Sequence, residues 1–137
     1  MNIEFTIFPK DSDINFLTEK INEETMEYGD ATPFAFFMRD EEGRIIAGAN
    51  GSIIFGCIYT DQLWVNIKHR RSGIAKKLMD KVHDYGKNEG CKIATVNSMS
   101  FQKAKSFYEK LGYIVDFERS GYNFDSSCLF MRKNLLR

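Results

Sequence analysis

The first residues of the chain alternate between apolar and polar side chains. Ile3, Phe5 and Ile7 fall on one side of residues 2–8, and this period of two is typical of a short β-strand. Pro9 follows at once and has no backbone N–H to donate, so it ends the run. We therefore predict a strand over residues 2–8.

Three segments repeat their apolar residues at helical spacing instead. The first covers residues 12–28, and the run Asp11-Ser12-Asp13 suits its N-terminus by capping free N–H groups and complementing the helix dipole. The second covers residues 73–88. The third follows Ser100, which is predicted to cap it, and ends at Gly112. The inner face of the first helix is predicted to carry Ile14, Leu17, Ile21, Thr25 and Tyr28.

The remaining segments are rich in β-branched and aromatic residues and predict strands. Residues 40–43 are typical of a hairpin turn, and Phe55-Gly56 is the expected break within the long β-prone stretch 45–67. The predicted strands are 34–39, 45–54, 57–67, 92–97, 113–118 and 127–132.

The resulting element order is β-α-β-β-β-α-β-α-β-β. Early hairpins and late helical crossovers predict an α+β (mixed α/β) fold. Its sheet is expected to be mixed parallel and antiparallel, with about six or seven strands and three or four flanking helices. The 137 residues contain no linker and no repeat, so we predict a single domain over residues 1–137.

Charge balance and cysteine usage exclude several classes of protein. Lys plus Arg and Asp plus Glu number 19 each, which favours neither a nucleic-acid binder nor a membrane-surface protein. Cys57, Cys91 and Cys128 lie far apart, so we expect neither a metal site nor a disulfide framework. The chain opens without a signal-peptide pattern, and no apolar run approaches about 18 residues. We expect a soluble, cytoplasmic protein.

A basic cluster surrounds the predicted start of the second helix. Acidic side chains would normally be stabilising there, because a helix N-terminus carries partial positive charge and free N–H groups. This chain has no acid between Asp61 and Asp80, and Ser72 and Gly73 leave room for close approach to the backbone. The pattern favours a phosphate site over the alternative, a solvated basic turn. The cations are Lys68, Arg70, Arg71, Lys76 and Lys77.

Two motifs make the chain resemble the GNAT superfamily of acetyl-CoA-dependent N-acetyltransferases. The spacing Arg70-x-x-Gly73-x-Ala75 after a strand resembles the superfamily's pyrophosphate-binding signature, Gln/Arg-x-x-Gly-x-Gly/Ala. Residues 100–113, with Ser-Phe-Gln and then Phe-Tyr-Glu-Lys-Leu-Gly-Tyr, are similar to its later helix and look like those of small bacterial members. The resemblance covers nearly the whole chain. Phe101 stands where many members have asparagine, so the resemblance indicates no particular acceptor.

This resemblance implies transfer of the acetyl group of acetyl-CoA to a primary amine of a small molecule or peptide, by direct attack in a ternary complex. It also implies that residues 62–66 lie beside the pantetheine arm, where the strand splays from the following strand at a bulge. The expected cofactor-binding residues are Leu63, Trp64, Val65, Arg70, Arg71, Ser72, Gly73, Ile74, Ala75 and Lys76.

Tyr108 is the candidate general acid. The resemblance places it at the position that protonates the departing thiolate, and a tyrosine hydroxyl can do so once it contacts the sulfur. Spacing alone favours a core tyrosine, because Tyr108 shares a helix face with Ala104 and Leu111, and the resemblance reverses this preference.

Asp61 is the candidate base that deprotonates the amine. Strict alternation places it on the same strand face as Tyr59, Leu63 and Val65. A role in binding the substrate cation, a structural role, and replacement by Glu24 or by water remain alternatives. His69, expected in the phosphate loop, and His83, expected on a solvated helix face, are given no catalytic role.

Two other functions fit the same motifs. A catalytically silent CoA-binding or CoA-sensing domain would keep the phosphate loop, but Tyr108 favours turnover. A protein lysine or N-terminal acetyltransferase would more naturally carry an acidic groove or a targeting domain. Both a monomer and a homodimer fit the sequence, and no nucleic-acid or membrane partner is expected. The aromatic candidates for the acceptor cleft, or alternatively for the core, are Phe34, Phe36, Phe55 and Trp64.

Overall fold

The computed structural model describes residues 1–136, which form three α-helices and six strands. The helices are α1 (Asp11–Glu24), α2 (Ile74–Asn88) and α3 (Lys105–Lys110). The strands are β1 (Ala31–Arg39), β2 (Ile45–Ile54), β3 (Cys57–Val65), β4 (Ile93–Met99), β5 (Ile114–Arg119) and β6 (Cys128–Asn134).

All six strands belong to one sheet in the order β1-β2-β3-β4-β6-β5. β3 and β4 pair in parallel, because the crossover through α2 returns the chain to the end of the sheet where β3 began. The other neighbouring strands pair antiparallel. The predicted α+β class with a mixed sheet is therefore confirmed.

The core lies between α2 and one face of the sheet. Leu78, Met79 and Val82 project from α2 and are buried together with Ile58 and the small side chain of Ala47. Removing this apolar surface from water is the main force that holds the helix on the sheet.

Two of the four aromatic candidates for the acceptor cleft belong to this core. Phe34 and Phe36 of β1 pack against Tyr85 of α2, with ring centroids 6.0 and 6.2 Å from that of the tyrosine. Phe55 lies in the turn between β2 and β3, where Phe55 and Gly56 have φ values of 51° and 84°. Positive φ at both positions is what a tight two-residue hairpin requires, so the predicted break is confirmed.

The N-terminal segment differs from its prediction. Residues 2–8 are not a strand, and their apolar side chains are exposed. An alternating pattern makes a stable strand only where a neighbouring strand pairs with it and a core covers one face. Helix α1 also ends at Glu24 and not at residue 28, because Thr25 leaves the helical conformation, with φ −110° and ψ 18°.

The predicted cap of the third helix is also wrong. Ser100 begins a short 3-10 turn, Ser100–Gln102, and Lys103 then takes a left-handed φ of 55° before α3 starts at Lys105. The Ser100 hydroxyl instead accepts a hydrogen bond from the backbone N–H of Ser127 at 3.0 Å. It therefore ties the end of β4 to the start of β6. None of the described helices is long and apolar enough to cross a membrane.

Candidate active site

The two central parallel strands separate at the middle of the sheet. β3 and β4 are paired only from Cys57 and Ile93 to Thr60 and Val96. Beyond this point β3 continues to Val65 along β2, while β4 continues along β6. The backbone groups of β3 that face away from β2 therefore have no β4 partner there, and a wedge-shaped opening lies between the strands.

A β-bulge at Asp61 marks the point of separation. Gln62 pairs with Asn50 and Thr60 pairs with Gly51, so Asp61 is an extra residue with no partner on β2. A Cβ at Gly51 would lie 1.8 Å from the carbonyl oxygen of Tyr59, so only glycine allows the two strands to approach this closely.

The bulge corrects the predicted alternation along β3. Ile58 and Thr60 are buried before it and Val65 is buried after it, so the inward side changes from even to odd residue numbers. Asp61 is exposed and therefore does not share the buried face of Val65. A prediction from strict period-two alternation cannot detect a single inserted residue.

The opening faces the N-terminus of α2. The first helical hydrogen bond is donated by the N–H of Lys77 to the carbonyl of Gly73 at 3.0 Å, so the N–H groups of Ile74, Ala75 and Lys76 have no helical acceptor. No side chain caps this end, and the first turn has no acidic residue. Gly73 occupies the N-cap with a left-handed φ of 82°, and no atom lies within 4 Å of the Cβ that another residue would add there.

Side chains of the preceding loop hold this end in place. Arg70 donates its Nε–H to the carbonyl oxygen of Val65 at 2.8 Å, which ties the loop to the end of β3. The Ser72 hydroxyl donates to the carbonyl of His69. Lys76 pairs with Asp80 one turn along the helix at 2.9 Å, in an exposed position. Arg71, with φ 64°, has no ion pair among the described residues.

One cleft of about 880 Å³ joins the strand opening to the start of α2. The catalytic and cofactor-binding residues predicted from the sequence all line this cleft except Ser72. The predicted residues that line it are Asp61, Leu63, Trp64, Val65, Arg70, Arg71, Gly73, Ile74, Ala75, Lys76 and Tyr108.

Seven lining residues lie outside the set of catalytic and cofactor-binding candidates, although Gln62 falls in the strand segment expected beside the pantetheine arm and His69 in the expected phosphate loop. Asn97 and Ser98 lie on β4 beyond its last pair with β3, so the expected splay of the strands was the signal that would have identified them. Gln102, Ala104 and Phe107 come near the cleft only through the packing of α3 and of the turn before it. The seven are Gln62, His69, Asn97, Ser98, Gln102, Ala104 and Phe107.

Tyr108 combines a buried ring with a free hydroxyl. Only 8% of the residue is exposed, and its ring contacts those of Phe107 and Tyr113, at centroid distances of 5.1 and 5.5 Å. No described residue forms a hydrogen bond with its hydroxyl, although the residue lines the cleft. Burial raises the pKa of Tyr108, so the hydroxyl stays protonated near neutral pH and can donate.

Asp61 lies beside Tyr59 on the exposed side of the bulge. The pKa of Tyr59 is raised, first by burial and then by the negative charge of Asp61. The arrangement places a carboxylate at the mouth of the cleft next to a neutral phenol.

His83 is buried, and its predicted place on a solvated helix face is wrong. It lies on α2 with its Nε2 2.8 Å from the hydroxyl of Tyr113, and burial lowers the pKa of His83 to about 4. The imidazole is therefore neutral near pH 7 and forms a hydrogen bond within the core. It does not line the cleft.

The sequence and the fold both match known proteins. The acetyltransferase (GNAT) family model matches residues 2–113, which is most of the chain. The chain belongs to the GNAT acetyltransferase family. Members of this family use acetyl-CoA as the acetyl donor.

Individual relatives are distant. Blasticidin-S acetyltransferase of Streptomyces morookaense is 28% identical over 81 residues, which are 58% of this chain and 59% of that protein. The chain thus spans less than two thirds of the length of this relative. An acetyltransferase from Bacillus cereus ATCC 14579 has the same fold, with a TM-score of 0.73 and 23% identity over 96% of this chain and 97% of that one.

A second solved structure of the same fold contains a bound ligand. It is a Bacillus anthracis protein described as a streptothricin acetyltransferase in complex with acetyl coenzyme A, with a TM-score of 0.68 and 18% identity. The likeness covers 80% of this chain and 66% of that one, and it shows a shared fold.

The residues of the cleft fit acetyl-CoA chemically. The uncapped N–H groups of α2 and the guanidinium groups of the loop suit a pyrophosphate. The unpaired backbone edge of β3 suits the amides of a pantetheine arm, because it offers both donors and acceptors. The free hydroxyl of Tyr108 suits a thioester sulfur as a hydrogen-bond donor.

Proposed function

We propose that the chain is an N-acetyltransferase that transfers the acetyl group of acetyl-CoA to a primary amine of a small cationic molecule. The observation that carries the proposal is the meeting of three features in one cleft. They are the unpaired edge of β3, the uncapped cationic start of α2, and the free hydroxyl of Tyr108.

The loop and the start of α2 bind the pyrophosphate in this proposal. The N–H groups of Ile74, Ala75 and Lys76 are the donors, and Arg70 and Arg71 supply positive charge. Ser72 stabilises the loop and does not bind the pyrophosphate through its hydroxyl, because that hydroxyl donates to the carbonyl of His69. Acetyl-CoA, when bound, supplies an activated acetyl thioester.

The edge of β3 orients the donor. Leu63 and Val65 direct their backbone groups away from β2, because the bonds to β2 alternate along the strand and Asn66 bonds to Ile46. These groups can bind the amide-containing arm, apart from the Val65 carbonyl, which accepts from Arg70. Trp64 lines the same cleft, and a backbone N–H near the bulge can stabilise negative charge on the acyl oxygen. Because these groups are already fixed by pairing of the other edge with β2, no reorganisation is needed when charge develops.

Tyr108 acts as general acid toward the departing sulfur. Its burial keeps the hydroxyl protonated, and its lack of a protein partner leaves the proton available to a ligand. A thiol is more acidic than this phenol, so the hydroxyl acts by hydrogen bonding and by donation in contact with the developing thiolate.

Asp61 binds or deprotonates the acceptor amine. Its carboxylate is exposed at the cleft mouth, where it attracts an ammonium group, and Tyr59 beside it adds a polar hydroxyl. The blasticidin-S relative supports a small-molecule acceptor.

The proposal is tested by measuring CoA release from acetyl-CoA with a panel of amines. The panel contains polyamines, aminoglycosides, nucleoside antibiotics, amino acids and lysine peptides. We expect turnover with at least one cationic small molecule and little with the peptides. In another outcome, the protein binds acetyl-CoA while no amine in the panel raises the rate of CoA release above the rate measured without an acceptor. That result would favour a silent CoA-binding domain. Preference for the peptides would favour protein acetylation.

Replacing Asp61 with asparagine is expected to lower kcat/KM for the preferred amine by about tenfold to a hundredfold, because the charge is lost while the shape is kept. The affinity for acetyl-CoA should not change. Loss of a general base should remove the acidic limb of the pH–rate profile, whereas loss of a cation site should mainly raise the KM for the amine.

The control is Asp30→Asn, which removes another exposed carboxylate, outside the cleft lining. It should leave kcat/KM unchanged. If Asp61→Asn acetylates normally at every pH, Asp61 has no part in the reaction, and Glu24 or water becomes the better candidate for the base.

A further inference from the structure

The N-terminal arm, residues 1–24, exposes an unusual amount of apolar surface. A folded monomer of 15.9 kDa is expected to expose about 7,400 Å². The chain exposes 10594 Å². The excess of about 3,000 Å² is larger than the roughly 800 Å² that each partner buries in a stable interface. Apolar residues of the arm with at least two fifths of their surface exposed are Met1, Ile3, Phe5, Ile7, Phe8, Ile14, Phe16, Leu17 and Ile21.

The few partly buried side chains of α1 and its C-cap are polar. Thr18 and Asn22 in the helix and Thr25 at its C-cap are partly buried, whereas Leu17 and Ile21 are 58% and 54% exposed. The side chain of Asn22 accepts a hydrogen bond from the N–H of Ala31 at 2.9 Å and donates one to the Ala31 carbonyl at 3.3 Å. These bonds fix the end of α1 to the start of β1, so the helix cannot turn its apolar stripe toward its own sheet without breaking them.

The sheet carries a second open apolar surface, on the face opposite α2. Phe37, Gly48 and Trp64 are direct neighbours across β1, β2 and β3. Their sequence neighbours Phe36, Ala47, Ala49 and Val65 pack in the core, so this row points the other way. Phe37 and Trp64 are about half exposed, and Gly48 between them adds no side chain. No described helix covers the row.

The outer edge of β1 is open as well. β1 is the terminal strand of the sheet, and its only partner in the described chain is β2. An edge strand exposes unpaired N–H and carbonyl groups that another strand can bind. Residues 2–8 have the alternating pattern of such a strand but no partner of their own. Residues 2–8 therefore lack a strand to pair with, and the outer edge of β1 can accept one.

We propose that the N-terminal arm docks on a second copy of this chain, in a reciprocal two-fold exchange. The stripe of Ile14, Leu17 and Ile21 covers the Phe37–Gly48–Trp64 row of the partner, and residues 2–8 pair with the outer edge of its β1. A second copy is the fitting occupant because both surfaces are on one chain, so two copies satisfy each other completely. Trp64 also lines the cofactor cleft, so the partner's helix forms part of the cleft's surroundings.

The test measures the mass of the full chain in solution by size-exclusion chromatography with light scattering. We expect about 32 kDa, twice the chain mass of 15.9 kDa. Leu17→Asp places a charge in the docked stripe and should give a folded monomer, with its helical circular dichroism retained. Phe37→Glu tests the same contact from the sheet side and should also give a monomer. Glu19→Lys, on the opposite side of α1, should remain dimeric.

The emission of Trp64, the only tryptophan in the chain, gives an independent measurement without cofactor. Docking of the partner's helix should bury its indole, so Leu17→Asp should shift the emission to longer wavelength and Glu19→Lys should not. A wild-type mass of 15.9 kDa at every concentration would overturn the proposal and indicate that the arm closes on its own sheet. A dimer that persists in both Leu17→Asp and Phe37→Glu would overturn it too, since a different surface would then join the copies.

Discussion

Replacing Tyr108 with phenylalanine is expected to lower kcat by about 10²–10⁴-fold, because general acid catalysis contributes a factor of this size. The ring remains packed against Phe107 and Tyr113, so the fold and the affinity for acetyl-CoA should be preserved. Only the hydroxyl is lost, and it has no partner in the described protein. Steady-state kinetics of CoA release and a binding titration with acetyl-CoA measure the two quantities separately.

Tyr113→Phe is the matched control for this variant. It removes the same atom from a buried tyrosine whose hydroxyl lies 2.8 Å from His83 and does not face the cleft. We expect it to lower the free energy of unfolding by about 1–3 kcal/mol, because one hydrogen bond is lost and His83 is left without its partner. Its kcat should stay near the wild-type value. If Tyr108→Phe also keeps the wild-type kcat, Tyr108 is a core residue or water protonates the sulfur.

Replacing Gly73 with valine is expected to raise the Kd for acetyl-CoA at least about tenfold, a loss of about 1.4 kcal/mol of binding free energy. The added side chain projects from the N-cap of α2, where the proposed pyrophosphate approaches the backbone N–H groups. No protein atom lies within 4 Å of the new Cβ, so any steric block acts on the ligand and not on the fold. Quenching of the Trp64 emission offers a direct titration, because this residue lines the same cleft.

Gly90→Val is the control that separates the steric block of acetyl-CoA binding from the backbone strain of a valine at positive φ. Gly90 follows the other end of α2 with a φ of 80°, nearly the 82° of Gly73, and its added Cβ also meets no atom within 4 Å. Both variants should therefore lose a similar amount of stability, about 1–2 kcal/mol, from the left-handed conformation. Only Gly73→Val should lose affinity. Equal acetyl-CoA affinity in the two variants would exclude the α2 N-terminus as the pyrophosphate site.

In the proposed dimer, the pyrophosphate site would lie within one chain, whereas the acceptor side of the cleft would lie next to the partner. The start of α2 is tied to β3 of its own chain through Arg70 and Val65. The open face beside Trp64 would be covered by the partner. Pyrophosphate binding is therefore expected to survive in a monomeric variant, whereas the acceptor side depends more on the assembly.

Some features of the site could be predicted because they depend on residues close together in sequence. The cations around Gly73, the lack of an acid in the first turn of α2, and the Phe55-Gly56 turn each follow from the properties of a few adjacent residues. Tyr108 could be named from the motif. Its free hydroxyl and buried ring could not be inferred, since core and cleft positions share the same helical spacing.

The sequence by itself determined the order of most elements and the cationic, acid-free character of the loop and first turn of α2, because local periodicity, capping and charge act over one or two turns of chain. Only the tertiary structure decided that Asp61 is the bulged residue, that β3 and β4 part after Thr60 and Val96, and that residues 2–8 do not form a strand. It also left the apolar residues of α1 exposed and buried His83. These outcomes depend on pairing and packing between residues far apart in the chain, where one inserted residue or one absent partner changes which face is buried.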